Sequence, residues 1–159
     1  MKQLTFKHYS SNDLTIGMYF DIYNKIEKHI SLLYPSFKDW FFDKIFLNKS
    51  TSFLYVFENE IFVGISILKI TNKEKKIRTV FVFPEFQNNN HSLKIFNEIE
   101  KYIPKKYISF SFPEEYSQFY IALCQKKKYK ITHVKNNYYR FGKTEYFVNF
   151  SEEDFIIKY

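Results

Sequence analysis

The spacing of apolar residues changes several times along this chain, and that change restricts the possible folds more than any other feature. Spacings of three and four residues, typical of amphipathic helices, alternate with segments in which every second residue, or every residue, is apolar, as in strands. Along the 159 residues the spacing predicts the order β-α-α-β-β-β-α-β-α-β-β. We therefore expect an α/β protein in which both element types share one core.

The predicted elements follow one another without a flexible linker. The strands are expected at 4–8, 52–57, 61–70, 77–83, 107–112, 130–139 and 144–150. The helices are expected where apolar residues have helical spacing, at 16–30, 37–45, 93–103 and 116–124. Ser11 and Asn12 are expected to cap the first of them. No repeat and no Pro/Gly/Ser-rich segment interrupts them. The sequence predicts a single domain over 1–150 and a C-terminal tail over 151–159.

The composition excludes several classes of protein. The chain has 20 Phe, 14 Tyr and 1 Trp but only 3 Gly, which argues against disordered and collagen-like chains. The net charge of +7 favours anionic partners, but the excess is almost all lysine, since Arg78 and Arg140 are the two arginines. A solubilising lysine surface is the first explanation of the charge, and a nucleic-acid footprint is the second.

The distribution of cysteine and histidine limits redox and metal chemistry. Cys124 is the one cysteine, so no intramolecular disulfide can form, which fits a reducing cytoplasm. The four histidines are scattered, and we expect no metal site. The first fifteen residues lack the apolar core of a signal peptide, and no segment approaches the ~20 apolar residues of a membrane span. A cytoplasmic protein without a membrane anchor is the expectation.

A motif follows the central strand. Residues 80–93 read VFVFPEFQNNNHSL, in which Val82, Pro84 and Gln87 precede three asparagines and an apolar helix. Together with the element order, this segment resembles the GNAT superfamily of acyl-CoA-dependent N-acetyltransferases. Its members usually read hydrophobic-x-Val-x-Pro-x-x-(Gln/Arg)-Gly-x-Gly-x-(Gly/Ala) here. Asn88 and Asn90 stand where that pattern has glycine, and Ser92 where it has glycine or alanine.

The resemblance implies the fold and a cofactor site. The fold would be a mixed, mostly antiparallel central sheet of about seven strands with four flanking helices. Acetyl-CoA, as co-substrate, would pair with backbone groups of the strand before the loop and place its pyrophosphate on the helix N-terminus; that strand would splay from the next. Asparagine is the ordinary residue that best tolerates the positive φ expected in such a loop. The expected contacts are Val80, Phe81, Val82, Gln87, Asn88, Asn89, Asn90, His91, Ser92 and Ser117, with His91 expected to be an exposed loop residue.

The resemblance also implies a proton donor for the departing thiolate. Many members carry a tyrosine in a segment Leu-Tyr-x-x-x-Gly-Phe, and Cys124 occupies that position here. Cys124 is therefore one candidate acid, and Tyr120 and Tyr116 are alternatives on the same apolar stripe. All three are equally typical of a helix core.

Spacing alone leaves the general base open between Glu145, His133 and Glu74, and a base relayed by water is also compatible. For the amine acceptor, the resemblance implies a wall built from the second helix and the last hairpin. Trp40, Phe41 and Tyr139 are the expected substrate contacts, with Lys44, Tyr138 and Arg140 around them. The same residues would equally serve as core and rim.

Three functions follow as hypotheses. The first is an acetyl-CoA-dependent N-acetyltransferase acting by direct transfer on a primary amine of a small molecule, peptide or protein, as a monomer or homodimer. The second is a catalytically silent binding module, motivated by the missing glycines and tyrosine. The third is a protein of this fold that acts on tRNA or another nucleic acid. It is motivated by the lysine clusters at 73–76, 105–106 and 126–128.

Overall fold

The computed structural model describes residues 3–87 and 90–156. The chain divides into two compact units, Met1–Ile103 and Pro104–Tyr159. The first unit contains an antiparallel sheet with the strand order β1-β2-β3-β4. Its strands are β1 (Leu4–Tyr9), β2 (Thr51–Glu58), β3 (Ile61–Ile70) and β4 (Lys75–Val82).

The first helical region of this unit differs from the sequence expectation at its start. Helix α1 spans Ile16–Ile30, and Thr15 is its cap, with Oγ1 accepting a hydrogen bond from Met18 N at 3.2 Å. The predicted caps Ser11 and Asn12 lie instead in a separate 3₁₀ turn. Across that turn Ser10 Oγ donates to Asp13 Oδ2 at 2.8 Å. The hydroxyl of Ser10 and the carboxylate of Asp13 therefore pair with each other before the helix begins.

The second helical region changes its winding part of the way along. Helix α2 (Phe37–Trp40) continues into a π-helical segment, Phe41–Phe46, in which Leu47 N donates to Phe42 O at 3.1 Å. Phe41 and Ile45 are fully buried there. They pack with α1 and the sheet in one cluster, whose other fully buried members are Ile22, Ile26, Phe53, Ile65 and Ile67. The aromatic content of the sequence therefore fills a packed core.

The second unit contains a smaller antiparallel sheet. Its strands are β5 (Phe110–Pro113), β6 (Ile131–Asn136) and β7 (Thr144–Val148), in the order β5-β7-β6, with α4 (Ser117–Lys127) between β5 and β6. Phe112 lies opposite Tyr146, which lies opposite Val134. The sequence placed the start of β5 at Tyr107, which is wrong, because Lys105–Tyr107 forms a 3₁₀ turn.

The residues after β7 pack on this unit. Ser151 and Asp154 form a reciprocal capping box that begins a 3₁₀ turn, Glu152–Phe155. The ring of Phe155 lies 4.9 Å from Phe147 and 4.8 Å from His133, measured between ring centroids. The domain boundary at residue 150 stays a prediction.

The expected architecture is confirmed in kind and in the number of strands and helices. The described residues form seven strands and four helices, the remaining helix being α3 (His91–Ile99) in the first unit. The difference lies in the pairing. All described strand pairs are antiparallel, and they form sheets of four and three strands rather than one sheet of seven.

Candidate functional site

The last strand of the four-stranded sheet leaves one row of backbone groups facing away from its neighbour. Within the described residues β4 pairs with β3 alone. Phe83 N donates to Val63 O at 2.9 Å, so antiparallel alternation turns the backbone groups of Phe81 toward β3 and those of Val80 and Val82 away. Outward groups of this kind can pair with an extended ligand. Two of the three predicted strand contacts therefore face away from β3.

Gln87 ties the loop to the end of this strand. Its Nε2 donates to Val82 O at 2.9 Å, after a 3₁₀ turn that begins at Pro84. This hydrogen bond occupies the outward carbonyl of Val82. The N–H of Val82 and both backbone groups of Val80 remain on the outward row. Gln87 is thus a structural brace for the loop as well as a predicted cofactor contact.

Asn90 adopts the left-handed backbone that the sequence predicted for this loop. Its φ is 57° and its ψ is 21°, a region that glycine enters freely and asparagine tolerates better than most residues. The next residue begins α3. The first backbone N–H groups of a helix have no intrahelical acceptor, and the helix dipole favours an anion beside them. Asn88 and Asn89 lie outside the described residues, so their roles stay predictions.

The prediction that His91 is an exposed loop histidine is wrong. Its side chain is 2 % exposed, and its Nε2 lies 2.5 Å from Glu58 Oε2, whose side chain is 6 % exposed. Ser92, the next residue, is also buried. Glu58 was not among the predicted site residues, because nothing in the local sequence pattern links it to a histidine 33 residues away. The start of α3 is therefore attached to the end of β2.

Burial makes the two predicted acids in the second unit poor proton donors. It raises the pKa of the Cys124 thiol to about 11 and that of the Tyr120 hydroxyl well above its usual range. The ring of Tyr120 stacks on Phe112 with centroids 5.1 Å apart. An ordinary thiol has a pKa near 8.5, so both groups hold their proton more tightly than a departing thiolate would. Ser117 lies at the other end of the same helix, as its first residue.

The three candidate bases have different surroundings. Glu74 accepts hydrogen bonds from Lys69 at 2.6 Å and is 2.9 Å from Lys76. These contacts lower its pKa to about 2, which makes it a weak base at neutral pH. His133 has both ring nitrogens engaged, by Thr132 at 3.0 Å and Glu152 at 2.9 Å. Glu145 is buried on the central strand β7.

The predicted substrate contacts differ in their exposure, and their combination into one wall stays a prediction. Phe41 is fully buried in the core of the first unit, so it presents no surface to an acceptor. Trp40 is partly buried beside Phe37, with ring centroids 5.8 Å apart. In the second unit Tyr139 is half exposed. Its neighbour Arg140 forms a two-pronged ion pair with Glu115, at 2.7 and 2.6 Å.

Two of the three lysine clusters meet in the second unit. A cleft of about 180 Å³ is bordered by four lysines and by Ile108, Tyr129 and Asn149; the lysines are Lys105, Lys106, Lys128 and Lys130. In the third cluster, by contrast, Lys76 is paired with Glu74. The fold therefore gathers positive charge around one small concavity.

Two further observations concern the part of the chain that the structure describes. It contains no group of three or more His, Cys, Asp or Glu side chains arranged to hold a metal ion. None of its helices has the length and apolar composition needed to cross a bilayer.

Comparison with known proteins identifies the fold. No family model and no curated protein sequence matches the chain. Among solved structures it is similar to a GNAT family acetyltransferase from Elizabethkingia anophelis with acetyl-CoA bound, with 14% identity, a TM-score of 0.62 and coverage of 91% of this chain and 95% of that one.

Two other solved structures show the same similarity. One is the ribosomal-protein-S18-alanine N-acetyltransferase of Escherichia coli, with 11% identity, a TM-score of 0.61 and coverage of 96% of this chain and 100% of that one. The other is an N-acetyltransferase from Campylobacter jejuni in complex with acetyl coenzyme A, with 15% identity, a TM-score of 0.54 and coverage of 92% and 100%. The agreement extends over nearly the whole length of each chain, and this protein therefore has the fold of the GNAT superfamily of acetyltransferases.

Proposed function

We propose that this chain is an acetyl-CoA-dependent N-acetyltransferase that moves an acetyl group directly to a primary amine of a small molecule, peptide or protein. The observation that carries the proposal is the sequence of three features in the first unit. The outward row of β4 at Val80 and Val82 leads into the left-handed Asn90, which leads into the first turn of α3. Solved structures of the same fold hold acetyl-CoA.

Each of these features supplies one part of a site for a long, phosphate-bearing co-substrate. The strand edge offers main-chain hydrogen bonds that do not depend on side-chain identity. The helix start offers N–H groups and the positive end of the dipole to a pyrophosphate. The left-handed Asn90 gives the chain the turn that brings the backbone to that point. Lysine or arginine side chains are not required for this type of binding.

The proposed transfer joins the amine nitrogen to the acetyl carbonyl carbon and breaks the bond from that carbon to sulfur. The amine loses one proton and the departing thiolate gains one. We assign the acceptance of the amine proton to Glu145, the buried carboxylate of β7. The thiolate takes its proton from water. Trp40 and Tyr139 remain the proposed acceptor contacts, whereas Phe41 is left out because it is fully buried.

A calorimetric titration with acetyl-CoA at low salt tests the proposal. Wild-type protein should bind, and Asn90→Glu should weaken binding at least about tenfold. The glutamate side chain is larger than asparagine, and its negative charge would repel the pyrophosphate. Asn90→Gly should bind at least as well as wild type, since glycine adopts positive φ without strain. Asn137→Glu is the matched control, because Asn137 has a φ of 61° and lies in the second unit's β6–β7 connection.

Absence of binding at millimolar acetyl-CoA would refute the proposal. Binding without any acetylated product from a library of amines would instead favour the silent binding module. Cofactor-dependent acetylation of an amine, detected by mass spectrometry, would support the enzyme.

The lysine cleft favours a second candidate function, in which the protein acts on RNA. Lys105, Lys106, Lys128 and Lys130 surround one concavity, and Lys106 Nζ lies 4.9 Å from the ring centroid of Tyr107, which is exposed. Ammonium groups beside an exposed aromatic ring are typical of single-strand binding.

Fluorescence anisotropy with a labelled single-stranded RNA tests this candidate. Affinity should fall steeply as salt rises from ~50 mM, because counterions are released on binding. The double variant Lys128→Glu with Lys130→Glu should bind more weakly and flatten the salt dependence by roughly one unit of slope per lysine. Lys38→Glu, in the first unit, is the control. Binding that ignores salt, or that the double variant leaves intact, would exclude this function.

A further inference from the structure

A buried hydrogen bond joins the last residue of β2 to the first residue of α3. Glu58 Oε2 and His91 Nε2 lie 2.5 Å apart, with side chains that are 6 % and 2 % exposed. Transferring a carboxylate and an imidazole from water to this environment is unfavourable unless each finds a partner. Because the contact gives each buried group a hydrogen-bond partner whose loss would be costly, it links two segments that are 33 residues apart.

The Glu58 end of this link is held by the sheet. Glu58 lies opposite Leu4 on β1 and Ile61 on β3, so its backbone is fixed from both sides. The tight turn that follows, through Asn59 and Glu60, has φ values of 50° and 70°. Paired primed turns of this kind match the twist of the strands and stiffen the hairpin.

The His91 end lies in the proposed phosphate-binding loop. His91 follows the left-handed Asn90 and begins α3, so its backbone belongs to the turn that would face a pyrophosphate. In the part of the chain that the structure describes, Nδ1 of His91 is buried and has no hydrogen-bond partner. The orientation of the imidazole, as far as polar contacts decide it, therefore depends on Nε2 and Glu58.

From this geometry we propose that Glu58 is a positioning residue, which acts through His91 to hold the start of α3 in the conformation that binds the phosphates of acetyl-CoA. The inference rests on the proposed function, because it assigns a role within that cofactor site. Glu58 lies at the end of β2 and contacts the start of α3 through His91. Its effect would be on the arrangement of the loop rather than on the reacting atoms.

The experiment compares Glu58→Ala, Glu58→Gln and wild type in acetyl-CoA titrations, steady-state kinetics and amide hydrogen exchange. Glu58→Ala should raise the KM and Kd for acetyl-CoA at least about tenfold while leaving kcat at saturation within about twofold. Amides from His91 to Leu93 should exchange at least about tenfold faster in the free protein, while those of the core strands β2 and β3 keep their protection. Glu58→Gln keeps an oxygen that can accept from His91 and should restore binding to within about threefold.

Glu152→Ala is the matched control. It removes the carboxylate from a second Glu–His contact among the described residues, that of His133 in the second unit, where the Glu152 side chain is 84% exposed. This variant should change neither the acetyl-CoA constants nor the exchange of α3. If Glu58→Ala does not fold, Glu58→Asp replaces it, since the shorter side chain withdraws the carboxylate from Nε2 and should show the same local effects.

The outcomes separate this inference from the proposed function. Unchanged KM and unchanged exchange at the start of α3 in Glu58→Ala would overturn the positioning role. Equal damage by Glu58→Gln would also overturn it, because the hydrogen bond would then not be what matters. If wild-type protein binds no acetyl-CoA, the proposed function fails, and the positioning role in that site fails with it. Exchange at α3 then shows whether the link still orders the helix.

Discussion

At the scale of single residues, asparagine replaces glycine where the backbone turns sharply. The chain has 3 Gly, yet six described residues other than glycine have positive φ, and four of these are asparagines: Asn59, Asn90, Asn137 and Asn149. Asparagine adopts this conformation at lower cost than most side chains. The prediction of a left-handed asparagine in the loop after β4 is confirmed at Asn90 for this reason.

The lone cysteine provides a prediction at the same scale. Because burial raises the pKa of the Cys124 thiol from 9.0 to about 11, its thiolate fraction near pH 8 should be on the order of 100-fold lower than that of an unshifted thiol. Alkylation of the folded protein by iodoacetamide at pH 8, followed by mass spectrometry, should be slower by a similar factor than in urea-unfolded protein.

The raised pKa of the Cys124 thiol also sets how this residue's contribution to stability changes at alkaline pH. Between pH 9 and 11 the unfolded chain loses the thiol proton while the folded chain retains it, so this contribution to stability falls as pH rises. Urea unfolding of wild type and Cys124→Ala across that range should show the wild type losing stability faster. Parallel losses in the two proteins would contradict the shift.

At the scale of elements, β4 depends on a glycine in the neighbouring strand. Gly64 lies opposite Val82, and a Cβ on Gly64 would overlap the carbonyl oxygen of Phe81. Backbone atoms cannot move aside as a flexible side chain can. The close approach of β3 and β4, which sets the position of the outward row at Val80 and Val82, therefore requires glycine.

Gly64→Ala is accordingly expected to lower the free energy of unfolding by about 1–3 kcal/mol and, under the proposed function, to weaken acetyl-CoA binding. Gly17→Ala is the matched control. The nearest atom to a Cβ at Gly17, Thr15 Oγ1, is 3.9 Å away. Alanine in α1 should add roughly 0.5–1 kcal/mol. Urea denaturation of both variants measures the difference, and a Gly64→Ala protein as stable as wild type would show that β3 and β4 are less closely fitted.

Element boundaries show where local patterns are overruled. The apolar residues at 37–45 predicted a regular helix, but Phe41–Phe46 is wound as a π-helix. Phe41 and Ile45, four residues apart, are both buried, as they would be on one face of a regular α-helix. A π-turn depends on packing around it, which sequence spacing does not contain. Likewise Tyr107 is a residue type that is common in strands, yet it lies in the 3₁₀ turn after Pro104. Strand β5 therefore begins only at Phe110.

At the scale of the whole molecule, the fold is shared with proteins whose sequences are very different from this one. The solved structures described above share 11% to 15% identity with this chain and still cover more than nine tenths of it. A fold survives such divergence when the order of elements and the apolar pattern are kept, since many combinations of side chains fill a core of the same volume. The fold forms here although Asn88 and Asn90 stand where the GNAT pattern has glycine.

The sequence by itself determined the order of seven strands and four helices, because the period of apolar residues is a local property of each element. It also determined the turn at Asn90, because a residue's tolerance of positive φ is local too. Only the tertiary structure decided that His91 is buried against Glu58, that Phe41 belongs to the core, and that two lysine clusters border one cleft. These outcomes depend on contacts between segments tens of residues apart, which are set when the elements pack and cannot be read from the spacing within any one of them.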